Sequence, residues 1–397
     1  MKDVTIIGGG IVGLATAWQV LSKAPKTSIS IIEKESDVAK HQTGNNSGVI
    51  HSGLYYKPGS LKATNCISGY HKLIDFCQNE GIEYDLCGKI VVATSEEEIP
   101  YLKTLQDRGI QNGLTGMIEL DSEGIREYEP HVAGVKGLYV PQTGIIDYKK
   151  VSQKLKEKLE RIGVEFFFNE KVKALKSSNS GQIIESNKNA HETKLVVNCA
   201  GLYSDKVAKM TLAKPDLKII PFRGEYYELK EQSKHLVKNL IYPVPDPNFP
   251  FLGVHFTRMM NGSVEAGPNA VLAFAREGYT KNIINIPELA ETLAWPGFQK
   301  VAAKYWKTGF GEMYRSFSKA AFTKALQKLI PEIQASDLSP GGAGIRAQAC
   351  DRSGGLLDDF QILEDENCVN VCNAPSPAAT SSLAIGEEIS NHVINKL

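Results

Sequence analysis

Gly8, Gly10 and Gly13 stand at the three positions of G-x-G-x-x-G, a spacing that can hold a dinucleotide. The first glycine permits a tight turn, the second lets a pyrophosphate approach the backbone, and the third lets the following helix pack closely on the strand. Phosphate oxygens then meet N–H groups at the positive end of that helix, so Ile11 and Val12 join the glycines as cofactor contacts. Glu33 follows Gly13 by about twenty residues, the offset at which a carboxylate accepts hydrogen bonds from ribose hydroxyls. The elements that must position these groups surround them. Val4–Ile7 reads as a strand, Leu14–Leu21 as a helix, and Ile29–Ile32 as a second strand ending at Glu33. The motif alone leaves NAD and FAD open.

Composition bounds the remaining possibilities. The 397 residues are 42% hydrophobic and 23% charged, ordinary for a globular chain with a sizeable core. Length alone suggests two or three domains. Lys plus Arg and Asp plus Glu are 45 each, and zero net charge argues against a nucleic-acid binder driven by bulk charge. Seven scattered cysteines without a C-x-x-C pair argue for a reducing compartment and against structural zinc or a disulfide framework; no metal site is expected. No run of about 18 apolar residues suggests a membrane span, and Lys2-Asp3 leads straight into the first strand without a signal peptide. The expected location is the cytoplasm, with peripheral contact at a bacterial inner membrane as an option considered below.

The segment His41-Gln42-Thr43-Gly44-Asn45-Asn46-Ser47-Gly48-Val49-Ile50-His51-Ser52-Gly53-Leu54-Tyr55-Tyr56 resembles the flavin-contacting loop of the glycine oxidase and D-amino-acid oxidase superfamily, and within it the L-2-hydroxyglutarate oxidases and dehydrogenases. Blocks at 199–205, 221–227, 242–245, 251–257, 267–273, 344–348 and 373–382 extend the likeness almost end to end. The resemblance implies FAD as cofactor, held further by Lys34, Thr43, Asn46, Ser47, Gly48, Val172, Ala200, Gly201, Arg346, Pro377, Ala378, Ala379 and Thr380. It implies an α/β chain: a Rossmann-type FAD-binding domain at 1–84, 142–216 and 336–397, and a mixed-sheet α+β substrate domain at 85–141 and 217–335. A final helix is expected to start near Pro377, with its positive end toward the flavin N1–C2=O edge.

Oxidising a 2-hydroxy acid requires a base for the hydroxyl proton, a path for the C2 hydride to flavin N5, and an anchor for the carboxylate. The resemblance places His255 and His51 near the flavin. His255 is favoured as base, and His51 is a second base candidate or a flavin-orienting residue. Arg346, in Gly344-Ile345-Arg346, resembles the element that anchors an α-carboxylate in amino-acid oxidases. A dicarboxylate needs a second cation, which Arg223 or Lys57 could supply; Tyr55, Tyr56 and Gln348 complete the expected substrate contacts. The implied reaction converts L-2-hydroxyglutarate to 2-oxoglutarate, with a quinone or oxygen as electron acceptor. Oxidation of another 2-hydroxy or 2-amino acid, or a non-catalytic membrane-docking flavoprotein, are the alternatives.

Residues 281–330 differ in texture. Eight Lys/Arg against three Glu are interleaved with Trp295, Phe298, Tyr305, Trp306, Phe310, Tyr314, Phe317 and Phe322. A basic, aromatic, helix-compatible stretch suits an anionic membrane surface; a helical insertion packed over the substrate domain with a solvated basic face is the other reading.

Overall fold

The computed structural model describes residues 1–211, 215–246 and 252–397; Phe251, in one of the family-like blocks, lies outside them. Two large sheets organise the chain. The first has eight strands around a parallel centre: Glu165–Phe167, Ile29–Ile32, Lys2–Ile7, Ala190–Asn198 and Cys368–Asn373, with antiparallel strands at its margins. Ile7 pairs with Ile32 on one side and Asn198 on the other, so these strands end level. The glycine turn, Glu33 and the Cys199–Gly201 turn therefore open at one carboxyl edge, where α/β sheets bind ligands. Helix Ile11–Lys23 covers one face with Leu14, Ala17 and Val20 fully buried, and helix Ser382–Ile394 packs beside it. The expected start near Pro377 is corrected. Residues 375–381 form turns, with Ala378 N–H donating to Pro375 and Ser381 N–H to Pro377, before the helix proper begins at Ser382.

The second sheet has nine strands, and its longest pair is Leu217–Leu229 against the edge strand Leu338–Asp351. That pairing also corrects the expected return to the nucleotide-binding part at 336: the chain goes back to the first sheet only after Asp351. One face of this sheet packs through Ile90, Val92, Ile241, Phe256 and Ala266 onto Phe322, Leu326 and Ile330, burying an extended apolar core. Full burial of each such side chain contributes roughly 1.5–3 kcal/mol. The opposite face carries Val91, Ala93, Leu240 and Tyr242.

Residues 281–330 contain helices Ile286–Leu293, Pro296–Phe317 and Lys319–Leu326. The aromatics divide: Trp295 and Phe322 are buried in the sheet core, whereas Trp306, Phe310, Tyr314 and Phe317 are 55–72% exposed. Among the described residues, no helix is long and apolar enough to cross a membrane.

The two halves are joined by a buried ion pair. Arg276 places Nη1 2.5 Å and Nη2 2.8 Å from the two oxygens of Asp205, and donates to the Leu202 carbonyl as well. Both side chains are nearly inaccessible. Breaking such a pair from one side strands a buried charge at about 3–5 kcal/mol, whereas removing both ends need not. Asp205→Leu and Arg276→Met are each expected to lower thermal stability strongly and the double variant by less than their sum; additive losses in denaturation curves would remove the pair as the joint.

Candidate active site

The carboxyl edge of the first sheet opens into a cavity of about 510 Å³ that runs from Glu33, Lys34 and Val172 past Gly8, Gly10 and Thr43 to His51, Tyr226 and Arg346. Ile11, Val12, Asn46, Ser47, Ala200, Gly201, Pro377, Ala378 and Ala379 also line it. The fingerprint glycines are required here on steric grounds. Gly8 has φ +114°, and a Cβ on it would stand 2.4 Å from the Cys199 carbonyl; on Gly13 it would stand 2.2 Å from Gly8 O. Gly13 thus closes helix against strand without itself lining the cavity. Helix Ile11–Lys23 starts at Gly10, which has no side chain to cap it, and carries no acid in its first turn; Thr43 Oγ1 accepts from Ile11 N–H at 3.1 Å, and the rest of the positive end is left for an external anion. Glu33 is fixed for ribose by accepting from Gly9 N–H (2.7 Å) and Glu35 N–H (2.9 Å). A long cavity, a helix start without an acid and a positioned Glu33 fit an adenine dinucleotide.

Other expected cofactor residues act from one step away. Gly48 (φ +64°) donates to Asn46 Oδ1 and turns the loop. Thr380 is buried behind the wall, where its hydroxyl meets Tyr148 Oη at 2.8 Å and accepts from His51 N–H at 3.1 Å; it positions His51. Lys34 borders the cavity, but its ammonium is held by Glu35 (2.5 Å), Glu277 (2.6 Å) and His41 (2.7 Å). Glu35, His41 and Glu277 have metal-ligand geometry, and the lysine ammonium bonds all three.

The floor at the far end is set by strand pleat. Side chains alternate across a sheet, and directly paired residues share a face. Arg346 pairs with Phe222; Tyr226 and Glu228 follow Phe222 at every second residue; Glu228 pairs with Glu265, and Glu265 with Thr257. His255 is two residues from Thr257, Leu240 also pairs with Thr257, and Tyr242 pairs in register with Val91. Arg346, Tyr226, His255, Tyr242 and Lys89 therefore lie on one face of the nine-stranded sheet. The odd-numbered Arg223 belongs to the other. Its Nη2 is 2.8 Å from Glu225, and Nη1 donates to the carbonyls of Gly278 and Thr280. It borders the cavity with its charge already neutralised, which corrects its assignment as the second substrate cation. Gln348 is corrected too: it shares Arg346's face, but its amide donates to Leu357 O at 2.9 Å and Ala349 O at 3.2 Å. Tyr55, Tyr56 and Lys57 line a neighbouring cavity with Lys62, Arg108 and Asp358.

Electrostatics distinguish the two histidines from solvated ones. Burial lowers His51 to about 3, assisted by the positive charges of Lys89, His255, Lys62 and Arg346. Burial lowers His255 to about 4 against the opposing pull of the Gly253 carbonyl, with Lys89 and Arg346 adding to the drop. Both imidazoles are neutral at physiological pH. The carbonyl of Gly253, 2.9 Å from His255 Nδ1, can only accept, so Nδ1 carries the proton and Nε2 is the basic nitrogen. His51 lines the large cavity; His255 stands beside that lining, its ring against Tyr242 at 4.0 Å. Arg346 lines the cavity, to which its side chain is exposed, and the surrounding protein lowers its affinity for a proton through partial loss of hydration.

Sequence reasoning missed Lys89. It is 2% exposed, with Nζ 4.4 Å from the Tyr55 ring centroid and 5.0 Å from that of Tyr242. The signal was present in Lys89-Ile90-Val91-Val92-Ala93, where alternation aligns the lysine with Val91 and Ala93 rather than with solvent.

Comparison with known proteins agrees with this geometry. Residues 3–392 match the model of a family described as FAD dependent oxidoreductase. An L-2-hydroxyglutarate dehydrogenase of Indibacter alkaliphilus is 63% identical over 97% of this chain and 96% of that protein. The human mitochondrial L-2-hydroxyglutarate dehydrogenase is 44% identical over 98% of this chain and 88% of its own length. Among solved structures, L-alpha-glycerophosphate oxidase from Mycoplasma pneumoniae with FAD bound superposes with a TM-score of 0.80 at 23% identity, covering 99% of this chain and 94% of that one. Glycine oxidase from Bacillus cereus gives 0.72 at 16% identity, over 100% and 96% of the two chains. With the dinucleotide cavity and these matches together, the chain belongs to the FAD-dependent oxidoreductase family, and within it to the L-2-hydroxyglutarate dehydrogenases.

Proposed function

We propose that this protein oxidises L-2-hydroxyglutarate to 2-oxoglutarate and passes the electrons to a quinone, with oxygen as the competing acceptor. The observation that carries this reading is the neutral His255, with Nε2 as its basic nitrogen, on the same sheet face as Arg346 beside a dinucleotide cavity. Arg346 holds the carboxylate next to C2 through its planar fork, fixing which face of C2 is presented. His255 Nε2 takes the hydroxyl proton as the C2–H bond breaks, so the alkoxide pair becomes the new carbonyl. FAD, when bound along the glycine fingerprint, supplies the hydride acceptor. His51 stays neutral near the reacting centre, held through its backbone by Thr380, and adds no positive charge that would compete for the carboxylate.

The exposed stripe of Trp306, Phe310, Tyr314 and Phe317, set among Lys300, Lys304, Lys307 and Arg315, supports a second element of the reading: peripheral contact with an anionic membrane. Such contact would bring the enzyme to a lipid-soluble acceptor.

His255→Gln should retain FAD absorbance and lose about 10²–10⁴-fold in kcat, the range for removing a general base; near-normal turnover would transfer that role to His51. Arg346→Ala should act mainly by raising KM. The neutral imidazole is the active form, and Lys89, Arg346, Tyr242 and His51 around it offer no negative charge to restore an ordinary pKa. The acid limb of kcat/KM, which reports the free enzyme, should therefore fall toward the value of about 4 rather than near 6.5. A limb at 6.5 or higher would contradict the base assignment. Replacing Trp306, Phe310 and Phe317 by Ser should abolish sedimentation with anionic vesicles and slow turnover with a membrane quinone, leaving turnover with a soluble quinone intact. Faster turnover with oxygen alone than with any quinone would make oxygen the acceptor.

A further inference from the structure

We propose that the Lys89 ammonium, together with the Tyr55 hydroxyl, binds the second carboxylate of the substrate and makes the site select a diacid; the proposal rests on the dicarboxylate reading above. A lysine removed from water needs a partner, since burial of an uncompensated charge is costly. Among the described residues no carboxylate lies within ion-pair distance of Lys89. Its contacts are the ring faces of Tyr55 and Tyr242, which return only part of what hydration gave. The acids on the same sheet face do not answer it: Glu265 is held near neutrality, at about 7, by burial and by the charge of Glu228.

A second, independent observation marks the same spot. Tyr55 Oη is buried and has no hydrogen-bond partner among the described residues. Burial keeps that phenol protonated, so it remains a donor. An ammonium and an orphaned O–H within one aromatic contact of each other match the two oxygens of a carboxylate. Tyr55 belongs to the neighbouring cavity rather than to the dinucleotide cavity, so the pair would take the end of the substrate remote from the flavin, beyond His255. Lys89 stands over Tyr242, and the Tyr242 ring lies 4.0 Å from that of His255. Desolvation lowers Lys89 to about 7 without substrate, and an arriving carboxylate favours its charged form. Arg223 or Lys57 was expected to supply this charge, but Arg223 is neutralised by Glu225 and Lys57 is exposed.

The test compares Lys89→Met, Lys89→Arg and Tyr55→Phe with the unsubstituted holoenzyme on L-2-hydroxyglutarate and on L-2-hydroxypentanoate, which replaces the terminal carboxylate by methyl. Kd values for glutarate and pentanoate are read from the flavin absorbance change, independently of turnover. Lys89→Met should lose about 100-fold or more in kcat/KM for the diacid, carried by KM, and less than about threefold for the monoacid. Lys89→Arg should recover part of the loss, and Tyr55→Phe should show a smaller, diacid-only loss. The preference for glutarate over pentanoate should vanish in Lys89→Met. Because the side chain is an uncompensated buried charge, Lys89→Met should melt no lower than the parent; Lys89→Gln replaces it if FAD is not retained. If the parent enzyme does not oxidise L-2-hydroxyglutarate, the substrate reading fails. If it does and the Lys89 variants keep their diacid preference, this assignment alone is overturned.

Discussion

The two-residue period of the nine-stranded sheet is the constraint on which the site depends. Arg346, Tyr226, His255, Tyr242 and Lys89 come from five strands spread over more than 250 residues of sequence, and pleat and register put them on one face. The other face packs Phe256, Ile241 and Ile90 onto the helices below. Register and function are therefore specified by the same apolar pattern. A one-residue slip in any of these strands would bury a charge in the core and turn an apolar residue to the substrate, at a cost in stability before any cost in turnover.

The polarity of the site follows from that placement. Both imidazoles are kept neutral by lost hydration and by neighbouring positive charge, which also makes the region attractive to an anion. A substrate carboxylate reverses the balance. It would provide beside Lys89 the negative charge that no described residue places there, and would raise the proton affinity of the base proposed at His255 at the moment a proton must be taken. Low dielectric strengthens both effects. Substrate binding and base activation are in this sense one electrostatic event.

Legibility in the sequence tracked the range of the interaction. The glycine turn and Glu33 are local, and the fold they imply could be read because each glycine answers a contact within one βαβ unit. Resemblance named Arg346 and both histidines. Arg223 misled because chemistry was weighed without parity: Phe222 and Tyr226 share one face, and the residue between them cannot. Gln348 had the right parity but is claimed by the Leu357 carbonyl, a partner nine residues away that no spacing rule announces. The final helix was placed too early because Pro377 is a natural first-turn residue, yet the turn at 375–381 intervenes and presents Ala378 and Ala379 to the cavity. Lys89 escaped because a lysine at a strand end is read as solvated by default.

The segment from Arg276 to Glu288 borders the dinucleotide site, and its attachments reach across to the first half of the chain. Arg276 reaches Asp205, Glu277 reaches Lys34, Tyr203 Oη meets Glu288 at 3.2 Å, and Tyr279 stacks on His41. Glu277 and Glu288 also line the cavity. Of the residues that tie the halves together, Lys34, His41, Tyr203, Glu277 and Glu288 line the cavity, whereas the Asp205–Arg276 pair stands behind it. A ligand that binds only the native state stabilises that state by mass action. Here a ligand in the cavity would touch both halves, so its binding energy would add to that of the Asp205–Arg276 joint.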